Sequence, residues 1–430
     1  MNITTKRRAA LLAGAVAAAT ALTITAGAVS GYAEPFSDTD PAAAPIPEYD
    51  YDDTARSFVV EADFGPTTAT PTSVVVGMQR SRTHLGDPAL LELRLEGHAG
   101  DVLDAIHAWD PRWVFEETET GGERRVVRPG AGLLTVPFDA DAETMVVHDV
   151  RAGTTLAEVD LAPAVREYCL AHPDDAQCVE ADLGVTEIGA EGVGFSVVGA
   201  TTAFEVTAEV ANLGPDGPVD AIVGETVTAE PGVVVTPVTA TWDADALAVG
   251  APRGHTGSYA ITCTEPGLHT VAIAAAVAPV LAKVADPDPA NDQKATEFSI
   301  DCAVPVKLDI KPGSTRNPVT VNEAAIPMAV LTTVAGEFGL PLAFDAATID
   351  ADSVRIGDRA PLVASATGVP ERHGKVHLED VVAADGDRDA MLHAAGRGIP
   401  VRKTTTELCV RGTTTDGLSF FGCDVVDVVP

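Results

Sequence analysis

The chain has 430 residues, too many for one hydrophobic core, and implies about three domains of ~100–150 residues each. Its 63 acidic residues against 28 basic ones give a formal net charge of −35, which argues against nucleic acid and anionic membrane surfaces as partners. A hydrophobic share of 46% is normal for folded protein, so the acid excess does not mark a disordered chain.

Residues 1–33 read as a secretory signal peptide. Lys6, Arg7 and Arg8 form a charged start, Ala9 to Val29 form an apolar run, and Gly31-Tyr32-Ala33 supplies small residues before a cleavage point. The run is mostly Ala, Gly and Thr, so cleavage before Glu34 is expected rather than an uncleaved anchor. No later stretch is apolar enough for a membrane helix, so no span is expected after cleavage. Residues 34–54 are an acidic Pro/Ala-rich linker.

Residues 55–161 carry short β signals without an intervening helix, which predicts an N-terminal β-sandwich module. The strand candidates are Ser57–Phe64, Ser73–Met78, Leu90–Leu95, Leu133–Phe138, Met145–His148 and Leu156–Leu161, with Trp109, Trp113 and Phe115 as the expected aromatic centre. Residues 162–181 hold a short helix, Pro163 to Leu170, that starts on proline and ends before His172-Pro173. Cys169 and Cys178 close a tight loop there, expected to act as a clamp between modules.

Six cysteines in an exported chain should be oxidised. They form three sequence-local pairs, and nearest-neighbour bonding joins Cys169 to Cys178, Cys263 to Cys302 and Cys409 to Cys423. No C-x-x-C spacing supports zinc at these positions.

Residues 182–303 form a second β module, with strands expected at Ala203–Val210, Gly232–Val235, Gly257–Thr262, Leu268–Ala274 and Ala295–Ile300. Asn212-Leu213-Gly214-Pro215-Asp216 is turn chemistry directly after a strand. The A-E-V-x-N-x-G-P turn, the E-P-G-x-H-T-V entry at Glu265–Val271 and the D-P-D-P-A-N-D segment at Asp286–Asp292 resemble bacterial immunoglobulin-like modules of the cell-adhesion-related (CARDB-like) type. That resemblance implies a seven-strand sandwich and names no ligand.

Residues 304–430 form a C-terminal β module with an acidic loop, with strands expected at Val306–Ser314, Ile326–Leu331, Phe344-Asp345 and Ser353–Gly357. This module resembles one that recurs at the C-terminus of exported bacterial proteins and carries D-I-K-P-G-S, I-P-V-A-I-L and E-D-V-N-G-D-G-x-x-D. A three-residue loop at Thr415-Asp416-Gly417, with Gly417 left-handed, would place Cys409 opposite Cys423.

The expected fold class is therefore all-β: serial antiparallel β-sandwich, immunoglobulin-like modules with little helix. For chemistry, the acidic run Asp380, Asp385, Asp387 and Asp389 is the candidate metal site, since calcium takes six to eight oxygens and clustered carboxylates around Gly386 could supply several. It departs from the resembling module, with Val382 in place of an Asn, Ala390 where the loop usually has Gly, and no closing Glu. His373 and His377 stand four apart in a turn-and-strand segment and read as surface residues. Trp109, Trp113 and Trp242 read as core more readily than as sugar platforms. No nucleophile elbow or phosphate loop occurs. These features favour an exported, non-catalytic surface or extracellular protein that binds an unknown extracellular protein or glycan. The alternatives are a secreted hydrolase, or hydrolase accessory, with its site in residues 55–161, and a calcium-stabilised scaffold.

Overall fold

A computed structural model of the chain describes residues 55–79, 91–119, 121, 123–191, 193–321, 323–380, 386–399 and 401–429. The signal and linker segments expected at 1–33 and 34–54 lie outside them. The fold is all-β, built of serial, largely antiparallel sheets with little helix. It divides into two compact units, one of residues up to 94, 105–137 and 146–159, the other of residues 95–104, 138–145 and 160–430.

In the first unit, Ala55–Phe64 is the centre of a three-stranded antiparallel sheet between Ala69–Gln79 and Gly130–Pro137. Phe58, Val60, Leu134 and Val136 are buried there. Trp113–Glu117 and Glu123–Val127 make a separate hairpin. The expected aromatic centre is corrected by the structure: Trp109 and Trp113 are only half-buried, while the buried side chains are aliphatic ones with Phe58 and Phe64. A tryptophan on a two-stranded hairpin lacks a second sheet to cover both of its faces.

In the second unit, the helix Ala162–Ala171 has Pro163 in its first turn. Its Tyr168 packs on Phe138 at 4.7 Å and donates to Asp175 Oδ2 at 2.9 Å, inside the loop closed by Cys169–Cys178.

Residues 179–305 form a sandwich whose first sheet runs Val233–Thr236, Arg253–Cys263, Thr201–Pro215, Val179–Glu191, Val284–Ala285. The second sheet begins Thr239–Leu247, Val219–Ala229, Gly267–Pro279, Gln293–Pro305. Alternating burial along each strand fills the core between them with Val206, Val210, Val223, Ile261, Val271 and Ile273. Cys263 of one sheet is bonded to Cys302 of the other.

The turn motif at Asn212 has a physical reason. The buried Asn212 donates through Nδ2 to Asp216 O at 2.8 Å and Leu247 O at 3.3 Å, and accepts from Gly214 N at 2.9 Å. It satisfies backbone groups that a tight turn leaves unpaired.

The second sheet does not stop at the module's edge. Gln293–Pro305 pairs in parallel with Ser419–Val425, with Val304 opposite Phe420 and Pro305 opposite Phe421. The sheet then continues through Glu407–Thr413 and Arg355–Gly357 to Val369–Pro370, and with Phe195–Val197, which pairs in parallel with Gln293–Pro305 off this path, it has nine strands. A four-stranded sheet of Leu308–Ile310, Ile326–Val330, Asp389–Ala394 and His377–Glu379 contributes Leu308, Met328, Val330 and Leu392 to the C-terminal core.

Gly417 takes φ 85° and Cys409 stands opposite Cys423, to which it is bonded. The segment Phe344-Asp345, expected as a strand, is instead one isolated bridge from Phe344 to Thr333, after which Asp345 caps a 3-10 turn by accepting from Ala347 N. A short polar side chain at that point satisfies the turn better than a ladder would. Among the described residues no helix is long and apolar enough to cross a membrane.

Candidate functional site

Three described members of the acidic run, Asp380, Asp387 and Asp389, lie at the end of a β-hairpin, Asp389 within its second strand. His377–Glu379 pairs antiparallel with Asp389–Ala394, with Glu379 opposite Asp389. Asp380 lies at the start of the loop and its Oδ2 accepts from Gly386 N at 3.2 Å, while Asp387 is half-buried. Asp385 falls outside the described residues. Asp389 is 3% exposed and its Oδ1 accepts from Thr332 N at 3.1 Å, so one of its oxygens is committed to holding the sheet.

The same hairpin carries three histidines together at its other end. The rings of His373 and His393 are 4.9 Å apart, those of His373 and His377 5.7 Å, and those of His377 and His393 6.4 Å. Glu371 joins them, with its Oε1 3.5 Å from His373 Nδ1. Its side chain is buried, Oε1 accepting from His393 N at 3.2 Å and Oε2 from His373 N and Lys375 N. The Nδ1 of His393 is buried and has no hydrogen-bond partner. Burial, with His373 beside it, holds the His393 imidazole below its ordinary value. His373 is exposed, as the sequence suggested, but His377 is half-buried. His393 was missed because only the hairpin register, with His377 opposite Met391, brings it near.

In the second module, the D-P-D-P-A-N-D segment is stitched to the strand Val179–Glu191. Asp286 accepts from Leu183 N at 2.8 Å, and Asn291 donates to Asp182 Oδ1 at 2.7 Å. Asp292 is pushed up to about 7, first by burial and then by the charges of Asp286, Asp182 and Asp288.

Deeper in that sandwich, Glu225 is 1% exposed. It accepts from Trp242 Nε1 at 3.0 Å and Tyr259 OH at 2.6 Å, and Trp242 stacks on His255 with centroids 5.0 Å apart. Burial and the neighbouring Glu225 carboxylate push the Tyr259 phenol up. Trp242 is thus committed inward and offers no open sugar platform. In the first unit, the buried Arg112 binds Asp110 through Nε and Nη2, Asp149 at 2.5 Å and Pro66 O at 2.8 Å. Trp113 lies under the Arg151 guanidinium at 5.3 Å.

The junction of the nine-stranded sheet is a further polar cluster. The Arg411 guanidinium lies 3.6 Å from the centroid of the Phe195 ring. It donates to Leu362 O and Val363 O at 2.7 and 3.2 Å and to Asp301 Oδ2 at 3.3 Å. Around it Phe195, Ala303, Leu362, Cys409 and Phe421 form a small apolar core.

A cleft of about 250 Å³ is lined by Ala190, Glu191, Val193, Gly194, Phe204, Phe298 and Ser299. It is smaller than the usual ~300–1,000 Å³ ligand pocket and has only Glu191 as a charged group.

The fold thus defines an all-β modular protein. No protein-family model matches the chain, and no curated protein matches it in sequence. Among solved structures, it is similar to a CARDB domain from Pyrococcus furiosus crystallised in complex with di-metal ions. The identity is 19%, the match covers 29% of this chain and 89% of that one, and the TM-score is 0.18. It is also similar to the D0-D1 domain of intimin at 13% identity, over 57% of this chain and 100% of that one, with a TM-score of 0.19.

Proposed function

We propose that the chain is an exported, non-catalytic extracellular protein whose second and C-terminal β-modules form one rigid binding or structural unit. The observation that carries this reading is the nine-stranded sheet running from Thr239–Leu247 through Gln293–Pro305 into Ser419–Val425. Two modules that share backbone pairing cannot hinge freely, which suits a surface that must hold a fixed geometry under load or while binding. The export signal expected at residues 1–33 and the three disulfides support an extracellular setting. The CARDB-like turn and strand motifs in 182–303 favour an adhesion-type partner, an extracellular protein or glycan.

The test applies the mature chain to arrayed extracellular glycans and proteins and, in parallel, to glycan and peptide substrates of hydrolases. Saturable binding without turnover is expected. Turnover would overturn the reading in favour of a secreted hydrolase with its site in residues 55–161.

Calcium at the acidic hairpin is a second reading, favoured by the way Asp380 closes the loop onto Gly386. Its ligands would be Asp380, Asp385, Asp387 and Asp389. Calcium in excess should raise the melting temperature by several degrees over chelator, through preferential binding to the folded state. An unchanged rise in a D380N/D387N variant would refute this assignment.

A further inference from the structure

We propose that Glu371, His373 and His393 form a binding site for a divalent transition-metal ion of the zinc class, with His377 as a fourth ligand. One ligand atom from each of the first three lies within 4.8 Å of the others, and all three side chains come from one end of one hairpin and the turn beside it. The chemistry of the set is selective. Imidazole nitrogen with a single carboxylate suits zinc, nickel or copper, whereas calcium and magnesium take mainly oxygen.

Two features separate this cluster from a chance meeting of surface histidines. The first is that His393 Nδ1 is buried and makes no hydrogen bond. A buried polar nitrogen left unpaired is destabilising, and a metal ion is a partner that removes the penalty. The second is that Glu371 is fixed in place. It is 5% exposed and held by the amides of His373, Lys375 and His393, so the carboxylate needs little ordering when an ion arrives. His373, with 41% of its side chain exposed, provides the open side through which an ion enters.

A zinc ion ~2.0–2.1 Å from each ligand atom sets those atoms about 3.3 Å apart. Rotation of the exposed His373 and the half-buried His377 about their χ angles closes the set from its present spacing. The turn Glu371–Gly374 and the strand Asp389–Ala394, already bridged at Glu371 and Ala394, would then be tied by the ion as well as by backbone pairing.

The experiment titrates the tag-free, disulfide-intact mature chain with Co²⁺ and Zn²⁺ alone, following the visible d–d absorption of bound Co²⁺ and its displacement by Zn²⁺. One equivalent should bind with the intense absorption of a four-coordinate site. H373A, at an exposed position where the fold is not at risk, should weaken binding at least tenfold, and an H373A/H393A variant should abolish the signal. D292N, remote in sequence and in a different module, should bind as the wild type does. Binding that survives H373A/H393A, or a wild-type chain that shows no Co²⁺ absorption at stoichiometric concentrations, overturns the proposal. Loss of the signal in a variant whose melting profile is unchanged supports it. H373Q, which keeps a polar side chain but no imidazole, decides the case if H373A proves unstable.

Discussion

The junction at Arg411 lets the shared sheet be tested by breaking it. Burial outweighs the attraction of Asp301 and holds the Arg411 guanidinium below its ordinary value, so the ion pair by itself is a poor source of stability. What removal of the arginine does is leave others stranded: the Asp301 carboxylate keeps Ser419, at 2.7 Å, the carbonyl of Val363 loses its Arg411 donor, and that of Leu362 is left with Ala366 N. The stacking on Phe195 is worth a further ~0.5–2 kcal/mol. Breaking a buried pair from one side costs ~3–5 kcal/mol, and partial exposure of this pair, 16% and 23%, lowers the figure for Arg411→Ala to about 2–4 kcal/mol. At ~2–4 °C per kcal/mol for a domain of this size, the melting temperature should fall by roughly 4–16 °C. The double variant R411M/D301N removes both charges while keeping apolar bulk over Phe195, and should be less destabilised than the sum of R411M and D301N by at least about 1 kcal/mol. Urea unfolding and calorimetry of the mature chain measure both quantities. The second module and the C-terminal module of the wild type should melt in one transition. A loss within ~0.5 kcal/mol for Arg411→Ala, as for an ordinary surface change, or additive single variants, would refute the reasoning.

Glu225→Ala should destabilise the second module by about 2–4 kcal/mol, because Trp242 and Tyr259 lose their buried acceptor, while Glu225→Gln should lose markedly less; chemical denaturation of both variants checks the order. Asp292 keeps its proton in the fold up to about pH 7 but releases it in the ordinary carboxylate range when unfolded. The folded state therefore binds the extra proton, and stability in chelator should fall as pH rises across that window and level off above it. Asp292→Asn should flatten the profile and raise the melting temperature at pH 8. Burial pushes Asp149 up, yet the Ala152 amide and the Arg112 guanidinium more than offset this and leave it lowered. Its contribution is present above the unfolded carboxylate value and lost as pH falls through the lower folded one. The R112M variant should lose that acid-side slope and about 3–5 kcal/mol, read from melting curves between pH 2 and pH 6.

The parts of the structure that were legible in the sequence are those set by local geometry. Cysteines 9, 39 and 14 residues apart pair with their neighbours because short loops close easily. A Gly at position 417 sets the hairpin register that puts Cys409 across from Cys423. Strands with an apolar alternation, such as Leu91–Gly97, announced themselves. Val102–Ala108 did not, because most of its residues are exposed and no buried face marks its sequence. Thr239–Leu247 was hidden for the same reason, and Val219–Ala229 because Gly224 and the buried Glu225 interrupt its apolar pattern. The acidic loop was visible as composition, whereas the histidine cluster depends on a pairing that no spacing rule discloses.

The covalent and non-covalent ties divide the work of holding this chain together. Cys263–Cys302 joins the two sheets of one sandwich and Cys409–Cys423 joins two neighbouring strands, so no disulfide crosses from the second module to the C-terminal one. That connection rests on Val304 and Pro305 lying beside Phe420 and Phe421, on the bond from Val306 N to Phe421 O at 3.0 Å, and on the Arg411 cluster. The approach is close enough that a Cβ on Gly422 would stand 2.4 Å from Val306 O, which only glycine avoids. Reduction should therefore loosen each module internally and leave the junction formed, whereas a change at Gly422 or Arg411 should leave the disulfides intact and release one module from the other. A rigid array needs the second kind of tie, since disulfides confined within modules cannot fix the angle between them.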